Sequence, residues 1–362
     1  MTAQLAPAPP SEADTASQPG WSWSRQPALL ALAVATVVSI VVAIGLGPVQ
    51  VGPGAVIQII GHHTIGVPGE VTWARTDDAI IWQVRLPRVL LGAIVGAALG
   101  VVGTALQALV RNPLAEPYIL GVSSGASTGA AAAILFGVGA GLGANAVSLM
   151  AFFGALGALA FVLALARSTG RITPSRMLVA GVAVSYLLSA TTSLLILFAD
   201  SAEGARAVMF WLLGSLANAD WSTLPIGYIG ISLGIALVFW WRRRLDLLAL
   251  GDETALASGV DPGRTRLALV IVVALCVGLA VSLSGGIGFV GLAGPHIARR
   301  LVGPIHRHLI PAAAALGALL LVWADVVARM ALQPRELPIG VVTGVLGAPV
   351  LIALVRKLPH NT

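Results

Sequence analysis

Ten apolar runs, each close to the length needed to cross a bilayer, make up most of this chain. The first extends from Pro27 to Gly47. The others lie near 86–110, 118–137, 146–166, 177–199, 224–241, 267–284, 286–302, 310–331 and 338–355, the eighth being short and preceded by the turn Gly285-Gly286-Ile287-Gly288. Of the 362 residues only 10% are charged and 57% are hydrophobic, with a mean hydropathy of +0.92. Soluble domains carry roughly 25% charged residues, so this chain cannot build a polar skin, and it is too apolar for disorder. The fold class expected is an all-α integral membrane protein with about ten transmembrane helices.

Ten spans place both termini on one side, and charge says which. Fifteen of the 21 basic residues, from Arg25 through Arg242, Arg243 and Arg244 to Lys357, fall on the side of the termini. Six fall opposite: Arg75, Arg85, Arg88, Arg206, Arg329 and Arg335. The positive-inside rule then puts both termini of this multi-pass protein in the cytosol. Residues 1–26, rich in Pro, Ser, Ala and Thr, read as a disordered cytosolic tail, and 27–358 as the transmembrane domain with a cytosolic segment at 242–266. The first run lacks a charged region leading to a cleavage site and is long enough to be a retained span.

Several chemistries are excluded or disfavoured. Cys276 is the only cysteine, which rules out a disulfide framework and any cysteine-based metal site. The pI near 10.6 comes from basic residues scattered between apolar runs, not gathered on a face, so no nucleic-acid partner is expected. A phosphate-binding loop needs Gly-x-x-x-x-Gly-Lys-Ser/Thr, and the sole lysine, Lys357, is followed by Leu358. If ATP drives this protein, another subunit binds it. Gly121-Val122-Ser123-Ser124-Gly125 matches the Gly-x-Ser-x-Gly pattern of serine hydrolases, but no histidine lies within a span to act as base. Ser123 and Ser124 instead supply helix-packing hydrogen bonds or line a polar path. No carboxylate falls near a span centre, which disfavours a proton-coupled secondary transporter. Asp325 and Arg329 sit one turn apart late in the ninth run and can pair. Gly92, Gly96 and Gly100 form a small-residue stripe for close packing or a pathway wall. Within 242–266, Gly251-Asp252-Glu253-Thr254 opens a short helix that Gly259 and Pro262 stop, either a loop cap or a docking element.

Six segments together resemble the permease subunits of type II ABC importers for iron–siderophore, haem and cobalamin. They are Arg85-Leu86-Pro87-Arg88, Arg111-Asn112-Pro113-Leu114-Ala115-Glu116-Pro117, Leu120-Gly121-Val122-Ser123-Ser124-Gly125-Ala126, Leu250-Gly251-Asp252-Glu253-Thr254-Ala255, Gly288-Phe289-Val290-Gly291-Leu292 with Pro295-His296, and Glu336-Leu337-Pro338-Ile339-Gly340. They extend from about residue 80 to the end of the chain.

The resemblance implies the type II ABC importer permease fold and a permease pair, either a homodimer or a dimer with a paralogue. It also implies two separate ABC ATPase subunits that bind the ATP and an extracytoplasmic substrate-binding protein, with no cofactor or metal held by this chain. It implies that Leu250, Gly251, Asp252, Glu253, Thr254, Ala255 and Gly259 couple to the ATPase. The inner gate maps onto Asn112 and Leu114 and onto the loop 168–176. Arg85, Arg88 and Arg329 match outward arginines that receive the carboxylates of the binding protein; unaided, Arg85 and Arg88 also read as interface-snorkelling side chains. The expected cargo is an iron–siderophore, the commonest in the family, with haem or cobalamin as alternatives. The outer stretch 48–84, with His62, His63, Asp77 and Asp78, matches no family motif and reads as a solvated loop.

Overall fold

The structure is a computed structural model that describes residues 25–167 and 173–355. Apart from Arg25 and Gln26, which open the first helix, the expected tail lies outside the described residues, as do Arg356 and Lys357. The described elements are all helical. They are α1 (Arg25–Gly45), α2 (Pro53–Ile65), α3 (Arg75–Asp78), α4 (Leu86–Val110), α5 (Val122–Phe136), α6 (Ala146–Arg167), α7 (Pro174–Leu197) and α8 (Ala202–Leu212). After these come α9 (Leu224–Trp240), α10 (Arg242–Leu250), α11 (Asp252–Ala257), α12 (Pro262–Ser284), α13 (Val290–Val302), α14 (His306–Met330) and α15 (Ile339–Val355).

Helices α1, α4, α5, α6, α7, α9, α12, α13, α14 and α15 coincide with the ten apolar runs. Among the described residues, six are long and apolar enough to cross a membrane unaided. The other four have 13 to 17 residues. At 1.5 Å per residue the 13 residues of α13 and the 15 of α5 reach only about 20–22 Å, short of the roughly 30 Å hydrocarbon core. α5 is preceded by a single 3-10 turn, Pro117–Leu120, and α13 by the non-helical stretch 285–289, and these two segments meet. The Tyr118 hydroxyl donates to the Ile287 carbonyl (2.7 Å) and accepts from the Ile287 amide (2.9 Å), while the Phe289 amide donates to the Glu116 carboxylate (2.7 Å). Irregular backbone is tolerated at membrane depth only where protein groups satisfy it, and here each break satisfies the other.

α4 is the central helix, buried along nearly its whole length. It packs most extensively on α14, as α12 packs on α6, and α5 lies on α6 as α13 lies on α14. This is the arrangement expected if spans two to five and seven to ten share one architecture. The glycine stripe works as packing: a Cβ on Gly96 or Gly100 would collide with the backbone carbonyl of Gly317 or Ala313 on α14, and one on Gly92 would press on Leu216. α1 is peripheral, with Leu30, Val34 and Val37 exposed along it as on a lipid-facing helix.

The stretch 48–84 corrects the expectation of a solvated loop. It folds into α2, α3 and a π-helical turn, Ala79–Arg85, that runs directly into α4. Val56, Ile59 and Ile81 are buried against Ala43 and Ile44. His63 stacks on Trp82, with centroids 4.3 Å apart, and contacts Asp78 at 3.0 Å. His62 is bound to the Pro68 carbonyl (2.8 Å). Among the described residues no group of three His, Cys, Asp or Glu side chains is placed to hold a metal.

Candidate functional site

Three assemblies carry the sequence-derived candidates. The first is at the end of the bundle that the charge count puts outside. Arg88 projects from the first turn of α4 and meets Asp325 of α14 through Nε–Oδ1 at 2.9 Å, and it also pairs with Glu336 at 2.9 Å. Arg329, one turn beyond Asp325, lies 2.9 Å from its other oxygen, in a charge contact, and donates to the carbonyls of Leu46 (2.8 Å) and Ala43 (3.2 Å) at the end of α1. Arg85 donates to the carbonyls of Ile44 (3.3 Å), Gly45 (3.0 Å) and Val49.

These contacts revise the expectation that the three arginines face outward. Arg85, Arg88 and Arg329 are only 4%, 5% and 3% exposed. Their guanidinium forks are spent on internal carboxylates and on the carbonyls that α1 leaves unpaired at its C-terminus. In this conformation they tie α1, α4, α14 and the segment before α15 together and are not presented to a docking protein. Charge reversal would set a carboxylate against backbone carbonyls or Asp325, so lost capture of a binding protein would not separate docking from misfolding.

Beside this network lies an open cavity of about 660 Å³, lined by Leu91, Trp211, Ser215, Asn218, Asp220, Ser284 and Glu336 among others. Its wall comes from α4, α6, α8, the segment before α9 and the end of α12. No single run of sequence signals it, and of the six motif segments only Glu336-Leu337-Pro338 contributes to its lining. Ser123 and Ser124 are half-buried on α5 and do not line this cavity. Ser189 on α7 donates to Ser124 at 3.5 Å, and Thr128 donates to the Leu188 carbonyl at 3.1 Å, so this polar strip joins α5 to α7.

The second assembly is the segment between α9 and α12. Asp252, at the start of α11, takes both Arg266 and Arg111, the former including a 2.8 Å contact from Nη1. Arg111 also donates to the Leu248 carbonyl (3.0 Å). Ala255 is buried, whereas Leu250 and Leu256 are 72% and 59% exposed. The apolar residues of α11 are therefore divided: Ala255 anchors it and Leu256 is left outward with Leu250, Glu253 and Thr254. Gly251 and Gly259 both adopt positive φ (133° and 77°), conformations that favour glycine.

The third is the loop after α4. Arg111 adopts φ 55° as the C-cap, and the Asn112 carboxamide accepts the Leu114 amide at 2.9 Å, a local turn. The chain then passes Glu116 to the interior junction with Phe289. Asn112 and Leu114 thus stand between the Asp252 anchor and the core of the bundle. The companion loop 168–176 lies outside the described residues except for 173–176.

Comparison with known proteins agrees with this architecture. The model of the FecCD transport family matches residues 34–357. The cobalamin import system permease protein BtuC of Halobacterium salinarum is 40% identical over 84% of this chain and 79% of its own. The vitamin B12 import system permease protein BtuC of Vibrio cholerae is 43% identical over 79% and 85%. A solved structure described as an inward-facing conformation of a metal-chelate type ABC transporter superposes with a TM-score of 0.80 at 32% identity, covering 92% of this chain and all of that one. The chain belongs to the FecCD transport family, as a multi-pass permease of an ABC importer of the FecCD/BtuC type in the bacterial cytoplasmic membrane.

Proposed function

We propose that this permease imports a bulky metal chelate of the corrinoid class, cobalamin in the first instance. The observation that carries this reading is that relatives 40% and 43% identical over most of the chain are named as cobalamin and vitamin B12 import permeases. The preference for an iron–siderophore rested on how common that cargo is in the family. It now ranks second, with haem.

The working unit we propose is a pair of permease copies, two ABC ATPase subunits that bind the ATP, and an extracytoplasmic substrate-binding protein. Both termini face the cytosol. The ATPase meets the segment Leu250–Ala255 with Gly259, where exposed Leu250 and Leu256 offer an apolar contact. Asp252 ties α11 to Arg111 and Arg266, so displacement of α11 pulls on the loop carrying Asn112 and Leu114, the proposed inner gate. Cargo enters at the opposite end, and no covalent chemistry is required of this chain.

The test is uptake of labelled cobalamin, haem and a panel of ferric siderophores by cells lacking this gene, with complementation. Selective loss of cobalamin uptake supports the reading. Selective loss of a ferric siderophore replaces the cargo and keeps the importer.

A further inference from the structure

α9 ends at Trp240, 78% exposed, and Trp241, and is followed at once by Arg242, Arg243 and Arg244. An exposed tryptophan closing an apolar span marks the headgroup level of a bilayer. α10 leaves α9 there at 55°, and the start of α14 comes alongside. Between them is an open cavity of about 530 Å³, lined by Phe239, Arg242, Arg243, Asp246, Ile305 and Arg307, a size that holds small ligands.

The charges of this cavity are unbalanced. Arg242 is held at the wall, 4.7 Å over the Phe239 ring and donating to the Phe239 carbonyl (3.1 Å). Arg243 and Arg307 are exposed and form no ion pair among the described residues. The one carboxylate, Asp246, is engaged by the backbone amide (3.0 Å) and Nδ1 (2.6 Å) of His306. Moreover, both helices present their N-termini here with arginines and no acidic residue in the first turn. Cations at a helix N-terminus oppose its dipole, whereas an anion there is stabilised by it; Asp246 already takes the His306 amide at α14, which leaves the charges of Arg243 and Arg307 still to be balanced. Two such termini beside one cavity, flanked by exposed Trp240 and Ile305, call for a ligand with a negative head and an apolar tail.

We propose that this cavity binds the phosphate of an anionic phospholipid, drawn from the inner leaflet on the topology proposed above. Arg243 and Arg307 would fork onto the phosphate oxygens and Arg242 would close the third side, with the acyl chains running along α9 past Trp240.

The test uses the full-length chain, delipidated in detergent and titrated with phosphatidylglycerol, with bound lipids counted by native mass spectrometry. This readout does not depend on orientation or cargo, so it fails or succeeds independently of the importer assignment. The wild type should retain phosphatidylglycerol in preference to phosphatidylcholine. Arg243→Gln and Arg307→Gln should each weaken that retention about tenfold, the worth of one charge-assisted contact. Arg244→Gln, which removes the same charge from the same turn outside the cavity, should not. Equal retention of phosphatidylcholine, or unchanged retention in both cavity variants, overturns the proposal. Displacement of the lipid by an equal concentration of inorganic phosphate would make this a free-anion site and overturns it too. So does loss of a co-purifying ATPase from the cavity variants with lipid retention intact, which would make the patch a protein contact.

Discussion

Arg88 and Asp325, 237 positions apart in sequence, form an ion pair of 2.9 Å in which both side chains are almost fully buried. Arg329 shares the same carboxylate from the next turn of α14. Asp325 is thus the one buried carboxylate shared by two guanidinium groups packed among apolar helices. Asp325→Ala would leave buried Arg329 with no carboxylate partner and Arg88 with only the half-exposed Glu336, at a cost of about 3–5 kcal/mol. Glu336, whose side chain is 45% exposed, contributes far less, and Glu336→Gln should cost under about 1 kcal/mol. Thermal unfolding of the purified variants should rank them in that order; equal destabilisation would contradict the buried network.

The contact between α4 and α14 is made backbone to backbone. Gly96→Ala or Gly317→Ala would drive a methyl into the opposing carbonyl, with an overpacking cost of about 1–3 kcal/mol. Gly157→Ala, on α6, meets nothing within 4 Å and should leave the unfolding midpoint unchanged or slightly raised. Indifference at Gly96 would contradict the close approach.

Glu116 acts as a cap supplied from another part of the chain, accepting the Phe289 amide where α13 begins. Glu116→Ala should orphan that buried amide and cost about 1–3 kcal/mol. Glu116→Gln keeps a carbonyl acceptor and should recover most of the loss. A Gln variant as unstable as the Ala variant would mean that charge, not the hydrogen bond, holds the junction.

Asp220 gives a pH signature at the cavity beside the Arg88–Asp325 network. Its carboxylate accepts from the Ser222 hydroxyl (2.6 Å), the Ser222 amide (2.7 Å) and the Thr223 amide (2.9 Å). The Ser222 hydroxyl bond leads in holding its pKa below the ordinary 3.8; partial burial pushes the other way and the backbone bonds add to the lowering. A depressed folded-state pKa means that the stabilisation is complete above the unfolded value and fades as pH falls through the folded one. The stability gap between wild type and Asp220→Asn should therefore be flat from about pH 7 to 5 and close below about pH 4. Because the site is exposed, the gap should stay under about 1 kcal/mol. A gap that widens on acidification would contradict the capped carboxylate.

The helical architecture was legible because lipid demands long apolar runs, and ten of them are plain in the sequence. The turn Gly285-Gly286-Ile287-Gly288 announced a break before α13, but its extent through Phe289 and the break before α5 were not legible. Ile119, Leu120, Ile287 and Phe289 are as apolar as the helices they precede, so runs 118–137 and 286–302 begin four residues earlier than α5 and α13. The stretch 48–84 was read as a loop because its glycines and histidines hide the two positions, Val56 and Ile59, that dock α2. Sequence located the guanidinium groups of Arg85, Arg88 and Arg329 at span ends, but their direction depends on Asp325, on Glu336 and on the carbonyls that end α1. Those partners come together only in the folded bundle. The short helix α11 was visible from its glycine stops and acidic start; that Arg111 and Arg266 anchor it was not.

The most direct test of the account is transport in proteoliposomes that hold the permease with its ATPase, loaded from a cobalamin-charged binding protein. The account predicts cobalamin accumulation that requires ATP on the ATPase side and is abolished by a variant ATPase unable to hydrolyse it. Accumulation without ATP, driven by an imposed ion gradient, would contradict it.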